Sequence, residues 1–195
     1  MSEQAKIVTG LAKTELHRIL VRGHDLTEEL LGKITFSQMA FLMLVGRLPT
    51  AAEGRMTDTL LTVLVEHGMT SSVVAARMLY HTAPESIQGA VAAAILGAGS
   101  VHLGSSEWSA KMLQEALPRD KQEADLDALA TSVVERYIAT KTNIPGIGHR
   151  THAEGDPRAD KLFEIARETQ CYGRCCDLLQ KIARTAEARR GRRLP

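Results

Sequence analysis

The sequence lacks any long hydrophobic run and any strong excess of charge of one sign. No stretch of eighteen consecutive apolar residues occurs, and Lys6, Lys13 and Arg18 interrupt the first twenty, so neither a membrane span nor a signal peptide is indicated. The 24 basic and 23 acidic residues give a formal net charge of +1, which argues against whole-molecule attraction to nucleic acid or anionic membranes. We therefore expect a cytoplasmic protein that binds neither nucleic acid nor membrane.

Cysteine is scarce as well. The three cysteines, Cys171, Cys175 and Cys176, follow one another closely in a helical pattern, and their odd number fits reduced thiols better than a disulfide framework. Because no second pair of ligands at zinc spacing accompanies them, the sequence predicts no metal. The remaining composition, 44% hydrophobic and 24% charged, is that of an ordinary globular protein.

The alternating polar and apolar residues that are typical of strands are also absent, so the sequence favours an all-α fold. Helical spacing recurs over residues 126–138, 162–166 and 178–183. Three pairs of residues have capping-box spacing and predict further helix starts: Thr35 with Gln38, Thr50 with Glu53, and Thr82 with Glu85. The helices after Thr35 and Thr50 are predicted to end at Gly46 and Gly68, and both are apolar enough to be predicted buried.

Glycine and proline concentrate in one stretch, IPGIGHRTHAEGDPR, which runs from Ile144 to Arg158 between segments with helical patterns. Glycines allow a ligand to approach the backbone directly, which suits a planar or anionic ligand. His149 can exchange a proton near neutral pH, and Arg158 offers a two-pronged grip for a carboxylate. The alternative interpretation is a surface loop that happens to carry a histidine.

Two more histidines stand beside glycine at predicted element boundaries, His67 in EHGMTSS and His102 in GAGSVHLGSSEW. A single histidine at such a place is more often a cap or a core contact than a ligand. Together with His149 they make three such histidines, and three indicate a site assembled between helices. The other histidines have less distinctive settings and are interpreted as structural or surface residues: His17, His24, His81 and His152.

Several of these stretches resemble the citrate synthase superfamily. IPGIGHRTHAEGDPRADKLFEIA resembles its Pro-Gly-x-Gly-His to Asp-Pro-Arg signature, and EHGMTSS resembles its histidine-containing helix end. VRGHDLTEELLGKITFSQMAFLMLVGRLPT resembles its Arg-Gly start, Phe-to-Leu helix and Gly-x-Leu-Pro-Thr turn. APESIQGAVAAAILGAGSVHLG resembles citryl-CoA lyase-like members more than typical citrate synthases, which usually have Leu-His-Gly-Gly where Leu103 follows His102 here.

The resemblance implies a role for each candidate residue. His102 would hydrogen-bond the thioester carbonyl and stabilise the enol of acetyl-CoA. His149 would exchange a proton with the carbonyl of oxaloacetate, which is the hydroxyl of citryl-CoA in the other direction, and His67 and Arg158 would bind the dicarboxylate. Coenzyme A would bind as part of an acyl-CoA substrate. Its adenine would lie near the backbone of Ile144, Pro145, Gly146, Ile147 and Gly148. Breaking the C–C bond of citryl-CoA needs both a base and a donor for the thioester oxygen, and two histidines supply them.

The resemblance also implies a citrate synthase-like architecture. We expect a large helical domain over residues 1–104, a smaller helical domain over residues 105–195, and the site in the cleft between them. Family members are commonly homodimers through helices of the large domain, and the apolar helices beginning at Phe36 and Ile87 are the candidates.

One element that the resemblance implies is missing from the sequence. The family's third catalytic residue is an aspartate in a downstream Asn-Val-Asp-like stretch, whereas the last aspartate here is Asp177 and the sequence ends with GRRLP. The small domain is thus expected to be incomplete. Loss of the aspartate that moves the proton at the acetyl carbon is expected to cost about two to four powers of ten in rate. Two functions stay open: a citryl-CoA lyase or citrate synthase-type enzyme of low or no activity in this form, or a catalytically incomplete CoA- or carboxylate-binding module or interaction protein derived from this fold.

Overall fold

The chain begins with a small antiparallel sheet, seen in a computed structural model that describes residues 9–99, 103–121, 123–149, 152 and 155–191. Its strands are β1 (Ala12–Thr14), β2 (Ile19–Val21) and β3 (His24–Asp25), in the order β1-β2-β3. The two-residue loop of Arg22 and Gly23 joins β2 to β3 with φ values of 49° and 89°, as a type I′ hairpin turn requires. The expectation of no strands was wrong here, because two or three residues are too few for alternation to be visible.

Helices make up most of the remaining described residues, which confirms the predicted all-α class. A π-helical turn spans Leu26–Leu30, and a 3₁₀ turn spans Arg119–Lys121. The α-helices are α1 (Phe36–Val45), α2 (Ala51–Val65), α3 (Ser71–Thr82), α4 (Ile87–Leu96), α5 (Gly104–Ala116), α6 (Leu126–Ala139), α7 (Pro157–Glu168) and α8 (Arg174–Arg190). The three helices predicted from spacing alone are thus α6, α7 and α8. No helix in the described ranges is long and apolar enough to cross a membrane.

Two of the three predicted capping boxes are confirmed. Thr35 accepts from the main-chain N–H of Gln38 at 3.2 Å and donates its own N–H to the Gln38 amide oxygen at 2.8 Å. Thr50 and Glu53 make the same pair of bonds at 3.2 and 2.9 Å. Each box satisfies donors that the first helical turn would otherwise leave unpaired.

The third predicted capping box, Thr82 with Glu85, was wrong. Thr82 is the last residue of α3, and its hydroxyl donates to the carbonyl oxygens of Met78 and Leu79 at 3.3 and 3.0 Å. The next helix starts from Ser86, which makes no side-chain capping bond. A threonine hydroxyl can bond backward into its own helix as well as forward into the next, and spacing alone does not distinguish the two.

The predicted ends of the first two helices are close, but their predicted burial was wrong. α1 ends at Val45 and Gly46 takes a left-handed φ of 86°, whereas α2 ends at Val65, three residues before Gly68. In α1 only Ser37 and Leu42 are buried, while Phe36 remains 88% exposed. The apolar composition is real, but the described residues of this single chain do not cover these side chains.

The chain forms two compact units. The first comprises Met1–Val65 and Ile165–Cys171, and its small core consists of Val21, Leu30 and Leu42. The second comprises Glu66–Glu164 and Tyr172–Pro195. Its core joins α5, α6 and α8 through Met112, Leu113, Leu117, Ala130, Val133, Val134, Ile144, Leu178, Ile182 and Ala186. The predicted boundary at residue 104 refers to the large and small domains of the family and stays a prediction.

Candidate active site

A tight turn opens the glycine-rich loop that follows α6. Ile144 is 4% exposed and packs into the core of the second unit, and its carbonyl accepts from the N–H of Ile147 at 3.2 Å. Pro145 and Gly146 occupy the central positions, and Gly146 has a φ of 77°. This is the arrangement of a type II β-turn, in which proline presets the first central position and glycine supplies the positive φ of the second.

Gly146 is also required by a close approach to α5. A Cβ built on Gly146 would lie 2.7 Å from the Oγ and 3.0 Å from the Cβ of Ser109, whose own side chain is buried. Gly148 has a φ of 101°, but a Cβ there would meet nothing within 4 Å. The first glycine therefore packs the loop onto the helix, whereas the second serves only the backbone conformation.

This difference gives a test of how the loop is held. Gly146→Ala is expected to lower the free energy of unfolding by about 2–4 kcal/mol, since it adds a steric clash to the cost of a left-handed residue. Gly148→Ala has the backbone cost alone and is expected to lose about 1–2 kcal/mol. Urea denaturation followed by circular dichroism measures both.

The control for the clash is the double variant Gly146→Ala with Ser109→Ala. It removes the nearer contact, to Oγ, and should recover part of the loss seen with Gly146→Ala alone. Equal stabilities of the Gly146→Ala and Gly148→Ala proteins would contradict the packing role of Gly146.

Helix α7 begins with the Asp156-Pro157-Arg158 sequence. The Asp156 carboxylate accepts from the main-chain N–H of Arg158 at 2.9 Å, as an N-cap residue does, and Pro157 fits the first helical position because it has no N–H to satisfy. The Arg158 guanidinium returns to the same carboxylate, with Nε 2.9 Å from Oδ1 and Nη2 2.6 Å from Oδ2. The cap thus also fixes the direction of the arginine side chain.

This ion pair determines the charge state of both partners. Hydrogen bonds from the Arg158 side chain lower the pKa of Asp156 to about 2, although partial burial acts in the opposite direction. Hydrogen bonding to Asp156 in turn raises the pKa of Arg158. Both groups are therefore charged throughout the range in which histidine titrates.

Two of the predicted histidines meet at the same guanidinium. Arg158 Nη1 lies 3.2 Å from Nδ1 of His67, which follows α2, and Arg158 Nη2 lies 3.4 Å from Nε2 of His149 in the glycine-rich loop. Because arginine has only donors, Nδ1 of His67 acts as the acceptor. Three of the predicted polar site residues, from two separate stretches of sequence, thus lie within one cluster of the second unit.

The main chain fixes the tautomer of His149. The N–H of His152 points at Nδ1 of His149 at 3.2 Å, so Nδ1 accepts, and the proton of the neutral ring is on Nε2. In this tautomer the 3.4 Å approach of Arg158 Nη2 to Nε2 joins two donors and is not a hydrogen bond, and two donors side by side suit an oxygen acceptor such as a carbonyl or a carboxylate. The ring of His152 packs against that of His149 with centroids 4.7 Å apart and an angle of 37° between the ring planes.

The remaining predictions about the site have different outcomes. His102 lies outside the described residues. The CoA contacts predicted for the backbone from Ile144 to Gly148 are untested, and they stay predictions. Sequence reasoning missed the part played by Asp156, which entered only as part of a motif, and it interpreted His152 as a structural or surface residue. A helix N-cap signal at Asp156-Pro157 was available for the first, whereas no sequence signal indicates that His152 stacks on His149.

The chain belongs to the citrate synthase family. The family described as citrate synthase, C-terminal domain, matches residues 51–194. Citrate synthase from Synechocystis sp. is 30% identical over 138 residues, which cover 70% of this chain and 32% of that protein. Citrate/2-methylcitrate synthase from Bacillus subtilis is 31% identical over 137 residues, covering 69% of this chain and 34% of that protein. The chain spans about a third of the length of these curated relatives.

Solved structures support the citryl-CoA lyase-like resemblance. Citryl-CoA lyase from Hydrogenobacter thermophilus superposes with a TM-score of 0.85 at 32% identity, covering 96% of this chain and 70% of that one. The ATP citrate lyase of Methanothrix soehngenii in complex with citrate and coenzyme A superposes with a TM-score of 0.81. Its sequence identity is 18% over 98% of this chain and 30% of that chain, so this second likeness concerns the fold alone.

Proposed function

We propose that this chain carries the catalytic chemistry of a citryl-CoA lyase or citrate synthase, which interconverts citryl-CoA with acetyl-CoA and oxaloacetate. The observation that supports this most directly is the convergence of His67 and His149 on the Arg158 guanidinium. The similarity to a citryl-CoA lyase over nearly the whole chain supports the choice of substrate.

Arg158 has the geometry of a carboxylate receptor. Asp156 holds Nε and Nη2 at 2.9 and 2.6 Å, and this pairing orients the guanidinium plane before any ligand arrives. An arginine that is already oriented loses less conformational entropy when it binds a carboxylate. His67 at Nη1 is placed to add a second contact to the same dicarboxylate.

His149 has the tautomer that the carbon–carbon bond-forming step needs. Its Nε2–H is the donor for the carbonyl oxygen of oxaloacetate, on which negative charge develops as the acetyl carbon attacks. In the reverse direction Nε2 has to accept the hydroxyl proton of citryl-CoA, so the ring proton then lies on Nδ1 and the contact with the His152 N–H has to open, while the electrons of the breaking C–C bond move to the thioester. In our proposal His102 stabilises that thioester enol by a hydrogen bond to its oxygen, and the backbone from Ile144 to Gly148 contacts the adenine of CoA.

The test combines binding with turnover. The full chain is titrated with oxaloacetate and with CoA by calorimetry, and it is then mixed in excess over citryl-CoA so that even slow acetyl-CoA release is detected in a single turnover. We expect binding of both ligands and acetyl-CoA formation above the rate without protein. Absence of both binding and release would refute the proposal and its alternative together.

A second function, binding without turnover, is favoured by the environment of Asp177. The sequence contains no Asn-Val-Asp stretch, and Asp177, its last aspartate, accepts a hydrogen bond from the Tyr172 hydroxyl at 2.9 Å within the start of α8. That contact gives Asp177 a structural role. Oxaloacetate or CoA binding with no detectable acetyl-CoA release would support this carboxylate- or CoA-binding module over the enzyme.

We also propose that the protein forms a homodimer through its apolar helices. α3 and α4 pack against each other, and both keep large apolar side chains at the surface: Val74, Met78, Leu79, Tyr80, Ile87, Val91, Ile95 and Leu96. Monomeric proteins rarely expose contiguous apolar surface on this scale, and a two-fold symmetric contact allows one such face to cover its own copy. Phe36 and Leu44 of α1 add further exposed apolar area.

A further inference from the structure

The loop before α7 brings together three groups that can ligate a metal ion. One ligand atom each from His149, His152 and Asp156 lies within 4.8 Å of the other two, and all three side chains are partly buried. Among the residues that the structure describes, this is the one group of three or more such side chains. The same two histidine rings are in contact, with centroids 4.7 Å apart and ring planes tilted by 37°.

The donor set has the character that first-row transition metals prefer. Two imidazoles and one carboxylate are the ligands of many zinc sites, and three protein ligands leave a further position for water or an anion. Mg²⁺ and Ca²⁺, which prefer sets made of oxygen atoms, fit these three groups poorly.

Binding requires two existing contacts to change. The His152 N–H occupies Nδ1 of His149, and the Arg158 guanidinium lies against Nε2 of the same ring and against both oxygens of Asp156. An ion has to displace one donor from His149 and share the carboxylate with Arg158. We therefore expect a dissociation constant on the order of micromolar, far weaker than that of a structural zinc site.

We propose that His149, His152 and Asp156 form a binding site for a first-row transition-metal ion such as Zn²⁺ or Co²⁺. This departs from the sequence expectation of no metal. An ion bound to one nitrogen of His149 leaves the neutral ring with its proton on the other, so the ring cannot accept the hydroxyl proton and the ion inhibits citryl-CoA cleavage. That consequence rests on the proposed function, whereas the binding itself does not and is measured without any CoA compound.

The experiment uses Co²⁺, because its visible spectrum reports the ligands. The full chain is titrated with CoCl₂, and absorption and calorimetry give the stoichiometry and affinity. We expect one ion per chain, d–d absorption, and none of the strong near-ultraviolet charge transfer that cobalt–thiolate bonds produce. Charge transfer that disappears together with the binding when the thiols are alkylated would assign the ion to the cysteines and overturn the proposal.

Variants locate the site independently of catalysis. His152→Ala and Asp156→Asn are each expected to weaken Co²⁺ binding by at least about tenfold, since each removes one of three ligands. His81→Ala, which changes an exposed histidine of α3, is the matched control and should leave the affinity unchanged. Circular dichroism shows whether His152→Ala and Asp156→Asn fold. If one of them does not, the Co²⁺ affinity of the other tests the site. A folded variant that binds Co²⁺ within about twofold of the unmodified chain would contradict the site, whether or not citryl-CoA is cleaved.

Discussion

Replacing Arg158 with alanine is expected to lower the affinity for oxaloacetate by about two to three powers of ten. A charge-assisted hydrogen bond contributes about 1.5–3 kcal/mol, and a carboxylate bound by a guanidinium makes two of them. The variant also removes the partner of Asp156, whose carboxylate would then repel the ligand at short range. Calorimetric titration with oxaloacetate measures the loss directly and needs no turnover.

Two further variants separate the geometry of the arginine from its charge. Arg158→Lys keeps the charge but lacks the planar guanidinium that Asp156 orients. Its affinity for oxaloacetate should fall by about tenfold, to a value between those of the unmodified chain and Arg158→Ala. Asp156→Asn combined with Arg158→Ala removes the repelling carboxylate and should recover part of the binding. If Arg158→Ala binds oxaloacetate as tightly as the unmodified chain, Arg158 is not the carboxylate receptor.

A matched control exists in the other compact unit. Arg55 pairs with Glu168 at 2.5 Å, and its side chain is 55% exposed. Arg55→Ala removes a cation and a salt bridge without touching the proposed site, so oxaloacetate affinity should not change. Its effect on stability is expected to be below about 1 kcal/mol, as is usual for exposed pairs.

The sequence predicts the helices well where local chemistry decides their limits. Thr35 and Thr50 cap their helices as their spacing indicates, and Gly46 ends α1 in the left-handed conformation. Thr82 shows the limit of such reasoning, because the choice between capping α4 and back-bonding into α3 depends on where α3 ends. Strands of two or three residues depend on their hairpin turns rather than on periodicity, and they were missed.

The candidate site could be predicted only as far as its motifs extend. His67 comes from one stretch that resembles a family motif and His149 and Arg158 from another, and the structure brings both histidines to the Arg158 guanidinium. The orienting bonds of Asp156 and the stacking of His152 depend on side-chain rotamers and loop geometry. No periodic pattern or spacing in one sequence encodes these.

Burial was the property that the sequence predicted least well. Phe36 is 88% and Leu44 is 85% exposed in a helix whose composition is almost wholly apolar. Hydropathy indicates that a surface is better covered than exposed to water, but it does not say whether the same chain or a second copy covers it. This is the physical reason why composition alone left core and interface undistinguished.

Replacing His149 with alanine is expected to slow acetyl-CoA release from citryl-CoA by about two to four powers of ten, the usual contribution of a positioned general acid–base. The effect should fall on kcat, because the proton is exchanged in the transition state, and the Kd for oxaloacetate should change much less than in Arg158→Ala. Single-turnover kinetics with protein in excess over citryl-CoA measure the rate of acetyl-CoA release even when that release is slow. His81→Ala is the control for loss of an unrelated imidazole.

His149→Gln distinguishes the two contributions that His149 is expected to make. The glutamine amide can present an N–H near the position of Nε2, so it can still stabilise charge on the oxaloacetate oxygen, but it cannot exchange a proton. Its rate should therefore lie between those of His149→Ala and the unmodified chain. Unchanged release in His149→Ala would remove this residue from the chemistry. Equal losses in the glutamine and alanine variants would instead show that proton exchange, rather than hydrogen bonding, accounts for the whole contribution.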